Sequence, residues 1–267
     1  YNLSIYNEFD VAIDLNLVER VFSILIRRNP IMRSKFYLDQ RQVMQEVQPF
    51  EDFVIPHEVI DISKSASDKD SEGIMNDLLT KAFDLENGPL FKVYTLKENN
   101  KISVWLVIHH LICDGVGLQL ITNEISYILQ NLDSIPDSTL AINKGVHFKD
   151  YADWLNEKVN SSDFKDRAYW KDVFSKECHF KIDTDFEVKE KDDFLATVYE
   201  KHLEPEAYTK LRAFCSEHNK SQNQFLLSVM FGLSYRLFNA SDVVITTLTN
   251  GRNNFELENM LGHMVQL

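Results

Sequence analysis

Two adjacent histidines, His109 and His110, stand at the end of the apolar run ISVWLVIHH, and Asp114 and Gly115 follow shortly after them. An imidazole exchanges protons near neutral pH, so a histidine held at the end of a rigid strand suits general acid–base chemistry. Neighbouring residues of a strand point to opposite faces, so only one of the two histidines can face a given cleft. Asp114 has two interpretations: it orients the histidine, as in a Ser-His-Asp arrangement, or it pairs with an arginine and fixes the turn. Spacing alone does not decide between a catalytic site and the polar end of a buried strand.

Other kinds of site have less support in the sequence. His109 and His110 project oppositely, so one metal ion cannot easily bind both, and no H-E-x-x-H or cysteine-rich cluster completes a metal site. The sequence has no G-x-x-x-x-G-K-[ST] or G-x-G-x-x-G pattern for nucleotides, and no G-x-S-x-G elbow for a serine hydrolase. We therefore predict neither a metal site nor a nucleotide site.

Charge and composition exclude further classes. The net charge of −13, from 28 Lys and Arg against 41 Asp and Glu, argues against a nucleic-acid partner. No apolar run reaches the roughly 18 residues of a membrane span. Three cysteines without C-x-x-C spacing, Cys113, Cys178 and Cys215, fit a reducing compartment, so we predict a cytoplasmic location. The first residues, YNLSIYNEFD, are not typical of a signal peptide and resemble the middle of a strand, so we expect a piece of a longer chain.

The elements that must position the two histidines mix strands and helices without strict β-α-β alternation. LSIYNEF predicts an edge or half-buried strand, FVIPHEVID an edge strand because of its proline, and ISVWLVIHH a central strand apolar on both faces. Asp14 is a candidate N-cap for the helix LNLVERVFSILIRR, and a second helix is predicted from Gly115 to Leu129. DVVITTLT predicts a final buried strand. This order predicts an α+β fold with a mixed sheet.

Several stretches together resemble one known family. HHLICDG matches HHxxxDG, the signature of nonribosomal peptide synthetase condensation domains and their acyltransferase relatives, of which chloramphenicol acetyltransferase is the structural prototype. RRNPIMRSKF is similar to the family's RHexLRTxF segment, and FKDYADWLNE, followed by YWKDVF, is similar to YxDYAxWQ with its later YW. VVITTLTNGRNNFELENMLGHMVQL resembles the family's GRxxxelexmiGfFVNtL region. The resemblance extends over nearly the whole chain, with the segments in the family's order.

The resemblance implies a fold and a reaction. We expect two chloramphenicol-acetyltransferase-like lobes arranged in a V, with residues 1–176 as the N-terminal lobe and residues 177–267 as the first part of an incomplete second lobe. The partners would be upstream donor and downstream acceptor peptidyl carrier proteins of a synthetase, together with its neighbouring domains. The substrates would ride on 4'-phosphopantetheine arms of those carriers, with no cofactor bound by the domain itself. The acceptor's amine would attack the donor's thioester, forming an amide.

The resemblance also implies a role for each residue of the motif. His110 would be the catalytic residue, which deprotonates or orients the amine or stabilises the tetrahedral intermediate. His109 would support it, and Gly115 would let its backbone N–H approach the reacting carbonyl oxygen or leave space for the pantetheine. Asp114 would be structural and paired with Arg33, because a buried carboxylate needs a partner and a planar guanidinium suits it best.

Departures from the family pattern leave alternatives open. GVG at residues 115–117 replaces the common Gly-Trp-Ser, and we expect it to leave more room beside the active site. HMVQ at residues 263–266 stands where Phe-Phe-Val-Asn is common. An ester-forming or other unusual acyl transfer, to a hydroxyl or a polyketide chain, remains the alternative. Epimerisation domains carry E-G-H-G-R where this chain has LTNGR, with Leu248 in the place of the glutamate. A non-catalytic carrier-docking module is disfavoured because His110, Asp114 and Arg33 are all present.

Overall fold

The computed structural model of the protein describes residues 1–10, 13–62, 71–98, 101–141, 145–161, 166–175, 199–240 and 242–266. The chain divides into two compact units, one formed by Tyr1–Ser162 with Leu248–Leu267 and the other by Asp163–Thr247. The lobe boundary predicted between residues 176 and 177 lies outside the described residues, as does Cys178, so this boundary stays a prediction.

The strands of the first unit form a mixed sheet and a separate hairpin. The described residues contain six strands: β1 (Asn2–Phe9), β2 (Ser34–Asp39), β3 (Gln42–Val47), β4 (His57–Asp61), β5 (Phe91–Glu98) and β6 (Lys101–His109). Four of them form a sheet in the order β1-β6-β5-β4, in which only the β4–β5 pair is parallel, while β2 and β3 pair by themselves. The predicted edge strands and the predicted central strand are confirmed.

Helices make up most of the remaining structure. The described residues contain α1 (Leu15–Arg28), α2 (Ser71–Leu79), α3 (Gly115–Asn131), α4 (Asp137–Leu140), α5 (Phe148–Asn160), α6 (Asp166–Val173), α7 (Pro205–Glu217), α8 (Gln222–Phe238) and α9 (Phe255–Glu258). The predicted α+β class is confirmed, and α3 begins at the predicted residue.

The central strand β6 is buried on both faces because its side chains alternate between two hydrophobic clusters. Leu106 and Ile108 belong to the larger cluster, which includes side chains of α1 and α3. Val107 belongs to the smaller one, with Met75 of α2. This double burial fixes the end of β6, where His109 is the last strand residue and His110 begins the loop.

Helix α3 is held against α1 by polar contacts as well as by the core. Glu124 of α3 accepts hydrogen bonds from the Arg28 guanidinium at 3.3 Å and from the Asn29 amide at 2.7 Å. The start of α1 has the predicted cap, since the Asp14 carboxylate accepts the N–H of Asn16 at 2.9 Å. These contacts hold α3 in place, and α3 in turn fixes the end of the loop that precedes it.

Residues 260–266, the closing segment, pack on α5 within the same unit. Met260 and Met264 share a buried cluster with Tyr151 of α5, whose hydroxyl accepts a hydrogen bond from the side chain of Gln266 at 3.0 Å. A Cβ on Gly262 would lie 2.2 Å from a ring carbon of Phe148, so only glycine permits this approach.

The predicted buried strand DVVITTLT is wrong in the described residues 242–249. Only Thr249 forms a β-bridge there, with Gln266, and the side chains of Val244 and Leu248 are exposed. A strand needs a β-paired neighbour along its length, and within the described part of this stretch the β-pairing is confined to the bridge at Thr249.

The second unit contains α6, α7 and α8. The start of α8 has a capping box, in which the N–H of Gln224 donates to the Ser221 hydroxyl at 3.1 Å and the N–H of Ser221 donates to the Gln224 side chain at 2.9 Å. In the part of the chain that the structure describes, no helix is long and apolar enough to cross a membrane.

Candidate active site

Residues 110–114 form a short loop between the central strand and α3. The N–H of Ile112 donates to the carbonyl of His109 at 3.1 Å, which turns the chain directly after the strand. The loop ends at Asp114, the N-cap of α3, whose carboxylate accepts the N–H of Gly117 at 2.8 Å. The loop is therefore fixed at one end by a doubly buried strand and at the other by a capped helix.

His110, like His109, is partly exposed, and its ring meets a second imidazole. Its Nδ1 lies 3.0 Å from Nδ1 of His263, and the two ring centroids are 4.8 Å apart. The same His263 nitrogen lies 2.8 Å from the backbone carbonyl oxygen of His110. The backbone N–H of His110 donates to the carbonyl of Tyr1 at 2.8 Å, so both backbone groups of this residue are held.

His109 has a supporting position. Its Nδ1 accepts the N–H of Leu111 at 3.0 Å, and its ring meets Phe83 edge-on, with centroids 6.2 Å apart. Burial, with the added effect of nearby positive charge including His110, lowers the pKa of His109 below its usual value. A neutral ring of this kind shapes the loop and does not carry charge at neutral pH.

Asp114 is fully buried and has all its acceptor positions used. Besides Gly117, its carboxylate binds the Arg252 guanidinium through two contacts, at 2.8 and 3.1 Å, and accepts the backbone N–H of Met264 at 3.0 Å. Burial acts to raise the pKa of Asp114, but the hydrogen bonds from Arg252 and from the two N–H groups outweigh it and lower the pKa. Asp114 therefore stays ionised and acts as a structural anion.

Arg252 links Asp114 to the closing segment. Its side chain is only 2% exposed. Its guanidinium donates to the carbonyl oxygens of Met260 at 3.2 Å, Gly262 at 3.3 Å and Asn250 at 3.3 Å, while its Nε has no partner among the described residues. The ion pair thus ties the loop after β6, the start of α3 and the closing segment together.

The predicted pairing of Asp114 with Arg33 is wrong. Arg33 donates to the backbone carbonyl oxygens of Gln48 and Ile26 instead, and burial lowers its pKa. The physical reason is that Arg252 already occupies both carboxylate oxygens of Asp114 in a two-pronged contact, which is the geometry a guanidinium favours. Arg33 supports the first unit by joining the end of α1 to the end of β3.

The two glycines at the start of α3 have different surroundings. A Cβ on Gly115 would meet nothing within 4 Å, whereas a Cβ on the buried Gly117 would lie 2.8 Å from the Cys113 sulfur and 3.2 Å from Leu261. The expectation that residues 115–117 leave more room beside the active site is therefore wrong for Gly117, because its neighbours fill that space. The open space lies at Gly115, and among the described residues no hydrogen-bond acceptor binds its N–H.

Other chemistry at this loop has little support. Burial raises the pKa of Cys113 to about 12, so its thiol stays protonated and is a poor nucleophile at neutral pH. No group of three or more possible metal ligands occurs in the described ranges. Among the described groups of this loop, the imidazole of His110 and the backbone N–H of Gly115 are left as the candidates for chemistry.

Two residues of this site were missed by reasoning from the sequence alone. Arg252 stands in the TNGR stretch that carries part of the family resemblance. The glycine before it has a left-handed φ of 66°, and a Cβ there would lie 1.8 Å from the carbonyl oxygen of Met264. A glycine–arginine pair in a resembling segment was a usable signal. His263 was noted only as a departure from the family pattern, and no sequence signal placed it beside His110.

The comparisons with known proteins agree with this fold. The epimerization domain from the third module of tyrocidine synthetase B has a TM-score of 0.79 at 20% identity, covering 99% of this chain and 62% of that chain. At this identity the likeness shows the fold alone. The sequence pattern of the family described as Condensation domain matches residues 1–267, and the chain belongs to this family. The predicted family is confirmed.

Curated relatives of the chain include synthases and synthetases that are much longer than it. The chain is 27% identical over 267 residues to surfactin synthase subunit 1 of Bacillus subtilis, covering 99% of this chain and 7% of that protein. It is also 27% identical over 203 residues to a beauvericin nonribosomal cyclodepsipeptide synthetase of Gibberella fujikuroi, covering 75% of this chain and 6% of that protein. The chain thus spans less than a tenth of the length of either relative.

Proposed function

We propose that this condensation domain catalyses amide formation between two carrier-bound substrates. The acceptor's amine nitrogen attacks the donor's thioester carbonyl carbon, the C–N bond forms, the C–S bond breaks, and the amine's proton passes to the departing thiolate. The partners are an upstream donor carrier and a downstream acceptor carrier, each presenting its substrate on a phosphopantetheine arm. Family membership and the kinship with surfactin synthase support this assignment.

The placement of His110 is the observation that carries the proposal. Its imidazole is partly exposed at the end of the central strand, in a loop that a buried ion pair anchors from the other side. A proton-exchanging group on such a rigid support meets the geometric demand of acyl transfer. Gly115 is exposed and adds a backbone N–H to which no acceptor binds in the described residues, which suits a donor to the oxyanion of the tetrahedral intermediate.

A reconstituted assay with two carriers tests the proposal. The donor carrier is loaded with an aminoacyl or acyl thioester, the acceptor carrier with an aminoacyl thioester, and the downstream arm is analysed by mass spectrometry. His110→Ala should lower transfer by at least about 100-fold, because a positioned imidazole contributes on that order, whether it transfers a proton or donates a hydrogen bond to the oxyanion. Its thermal melting should match the wild type.

The matched control replaces a histidine outside this site. His202 is exposed and lies in the other unit, so His202→Ala should retain wild-type transfer. Full transfer by a folded His110→Ala variant would contradict the catalytic role of this residue.

Ester formation is the second candidate. It is favoured by the kinship with a cyclodepsipeptide synthetase at the same 27% identity as the surfactin relative. In this reaction an acceptor hydroxyl oxygen attacks and a C–O bond forms in place of C–N. Parallel assays with amino and hydroxy acceptors on the same carrier distinguish the two, because the masses and the alkaline lability of the products differ.

Epimerisation has less support from the residues present. Leu248 stands where the resembling epimerisation domains have glutamate, and an aliphatic side chain cannot exchange a proton. Incubation of the domain with an aminoacyl carrier in deuterated water should give no deuterium at the α-carbon.

A further inference from the structure

The contact between His110 and His263 determines which ring nitrogens of the two residues carry a proton. The Nδ1 atom of His263 lies within hydrogen-bond distance of two atoms of His110. The carbonyl oxygen of His110 is 2.8 Å away, and the Nδ1 atom of His110 is 3.0 Å away. A carbonyl oxygen can only accept a hydrogen bond, so the His263 nitrogen must carry the proton when both rings are neutral.

The protonation of His110 follows from the same geometry. If Nδ1 of His110 also carried a proton, two N–H groups would face each other at 3.0 Å. Nδ1 of His110 is therefore the acceptor, and in the neutral ring the proton lies on Nε2. The nitrogen of His110 that His263 does not contact is then a hydrogen-bond donor.

His263 is held in this position by its neighbours on both sides. The carbonyl of Gly262 accepts a hydrogen bond from Arg252 at 3.3 Å, and the N–H of Met264 donates to Asp114 at 3.0 Å. The buried ion pair thus fixes the backbone before and after His263. Its imidazole remains exposed, so it is held by the backbone and by His110 and not by a core.

We propose that His263 is a positioning residue that keeps neutral His110 in the tautomer with its proton on Nε2. The inference rests on the proposed function and narrows it. A His110 ring in this state donates a hydrogen bond to the oxygen of the tetrahedral intermediate and does not accept the amine's proton at Nε2. The proton leaves the amine for the departing thiolate without residing on this nitrogen.

Nitrogen-15 NMR of the chain labelled at its histidines measures the tautomer directly. The spectra are recorded at a pH of about 8, where ordinary imidazoles are neutral, and the His110 signals are identified by their loss in His110→Gln. We expect His110 Nδ1 to have the shift of an unprotonated nitrogen and Nε2 that of a protonated one. A wild-type spectrum with the proton on Nδ1 would overturn the proposal.

Two replacements at residue 263 distinguish the effect of the hydrogen bond on the His110 tautomer from the effect of the aromatic ring. His263→Phe keeps an aromatic ring without a donor, so the two His110 nitrogen shifts should move toward each other as both tautomers become populated. His263→Asn places an amide N–H near the original donor and should restore the wild-type shifts. His202→Phe, at an exposed histidine, should leave them unchanged. Identical His110 shifts in wild type and His263→Phe would overturn the proposal.

Activity of the same variants gives a second measure. In the two-carrier assay we expect kcat to fall roughly ten-fold in His263→Phe and to recover in His263→Asn, with little change in KM. Wild-type kcat in His263→Phe would contradict the positioning role. The NMR result does not depend on transfer, so a failure of the proposed function would appear as an inactive wild type whose His110 tautomer is still decided by the spectra.

Discussion

At the scale of single residues, the ion pair of Asp114 and Arg252 joins segments 138 residues apart in sequence. Their side chains are 0% and 2% exposed, so removal of either partner leaves an uncompensated buried charge. We expect Asp114→Ala and Arg252→Ala each to lower the free energy of unfolding by about 3–5 kcal/mol. Urea unfolding of the single and double variants should give a large coupling energy between the two residues. The first substitution leaves its partner as an unpaired buried charge, and the second substitution removes that charge.

Arg33 provides the matched control for this cycle. It is bound to backbone carbonyls and not to Asp114, so the effects of Arg33→Ala and Asp114→Ala should add. Coupling between Arg33 and Asp114, or additivity between Asp114 and Arg252, would contradict the pairing seen in the structure. The exposed Arg20–Asp137 pair gives a second comparison, and Arg20→Ala should have a much smaller effect.

At the scale of elements, the start of α3 contains two glycines with opposite requirements. A Cβ on Gly117 would lie 2.8 Å from the Cys113 sulfur, which is too close for a normal contact. Gly117→Ala should therefore lower the free energy of unfolding by about 1–3 kcal/mol through overpacking. Gly115 has free space, so Gly115→Ala should change the free energy of unfolding by no more than about 0.5 kcal/mol. Thermal melting of both variants compares the two positions.

A compensating change tests the cause. Cys113→Ala removes the sulfur atom nearest to the new methyl group, so the pair Cys113→Ala with Gly117→Ala should recover part of the lost stability. No recovery would assign the cost to Leu261 or to the backbone. Gly115→Ala should still lower acyl transfer, because a methyl group there enters the space proposed for the reacting thioester.

At the scale of the whole molecule, patterns that depend on local chemistry were the predictable ones. The apolar residues on both faces of ISVWLVIHH predicted its central place, and Asp14 was recognised as a helix cap, because each pattern involves residues close in sequence. The partner of Asp114 was predicted wrongly because the resemblance implied Arg33, and composition and spacing give no means of preferring one of two arginines that are distant in sequence. His263 could not be placed for the same reason, since its contact depends on how the closing segment folds back.

The net charge and the buried ion pair together predict how the stability of the protein depends on pH. Acidification from neutral pH first reduces the self-repulsion of a chain with a charge of −13, which should raise stability. The pKa of Asp114 is lower in the folded protein than its ordinary value of about 3.9 in the unfolded chain. The unfolded state therefore binds the proton first, and the contribution of Asp114 is present above about pH 4 and is lost as the pH falls through the folded pKa.

Replacement of this one carboxyl group isolates its share of the profile. Asp114→Asn should be less stable than the wild type near neutral pH, and the difference should shrink below about pH 4, where the carboxyl group of Asp114 becomes protonated in the unfolded wild type before it does in the folded protein. Asp137→Asn removes a carboxylate that is 46% exposed and should follow the wild-type curve closely. The measurement is urea unfolding at a series of pH values from about 7 to 3. A difference between wild type and Asp114→Asn that stays constant through this range would show that the ionised carboxylate does not stabilise the fold, and that Arg252 holds the closing segment through its carbonyl contacts alone.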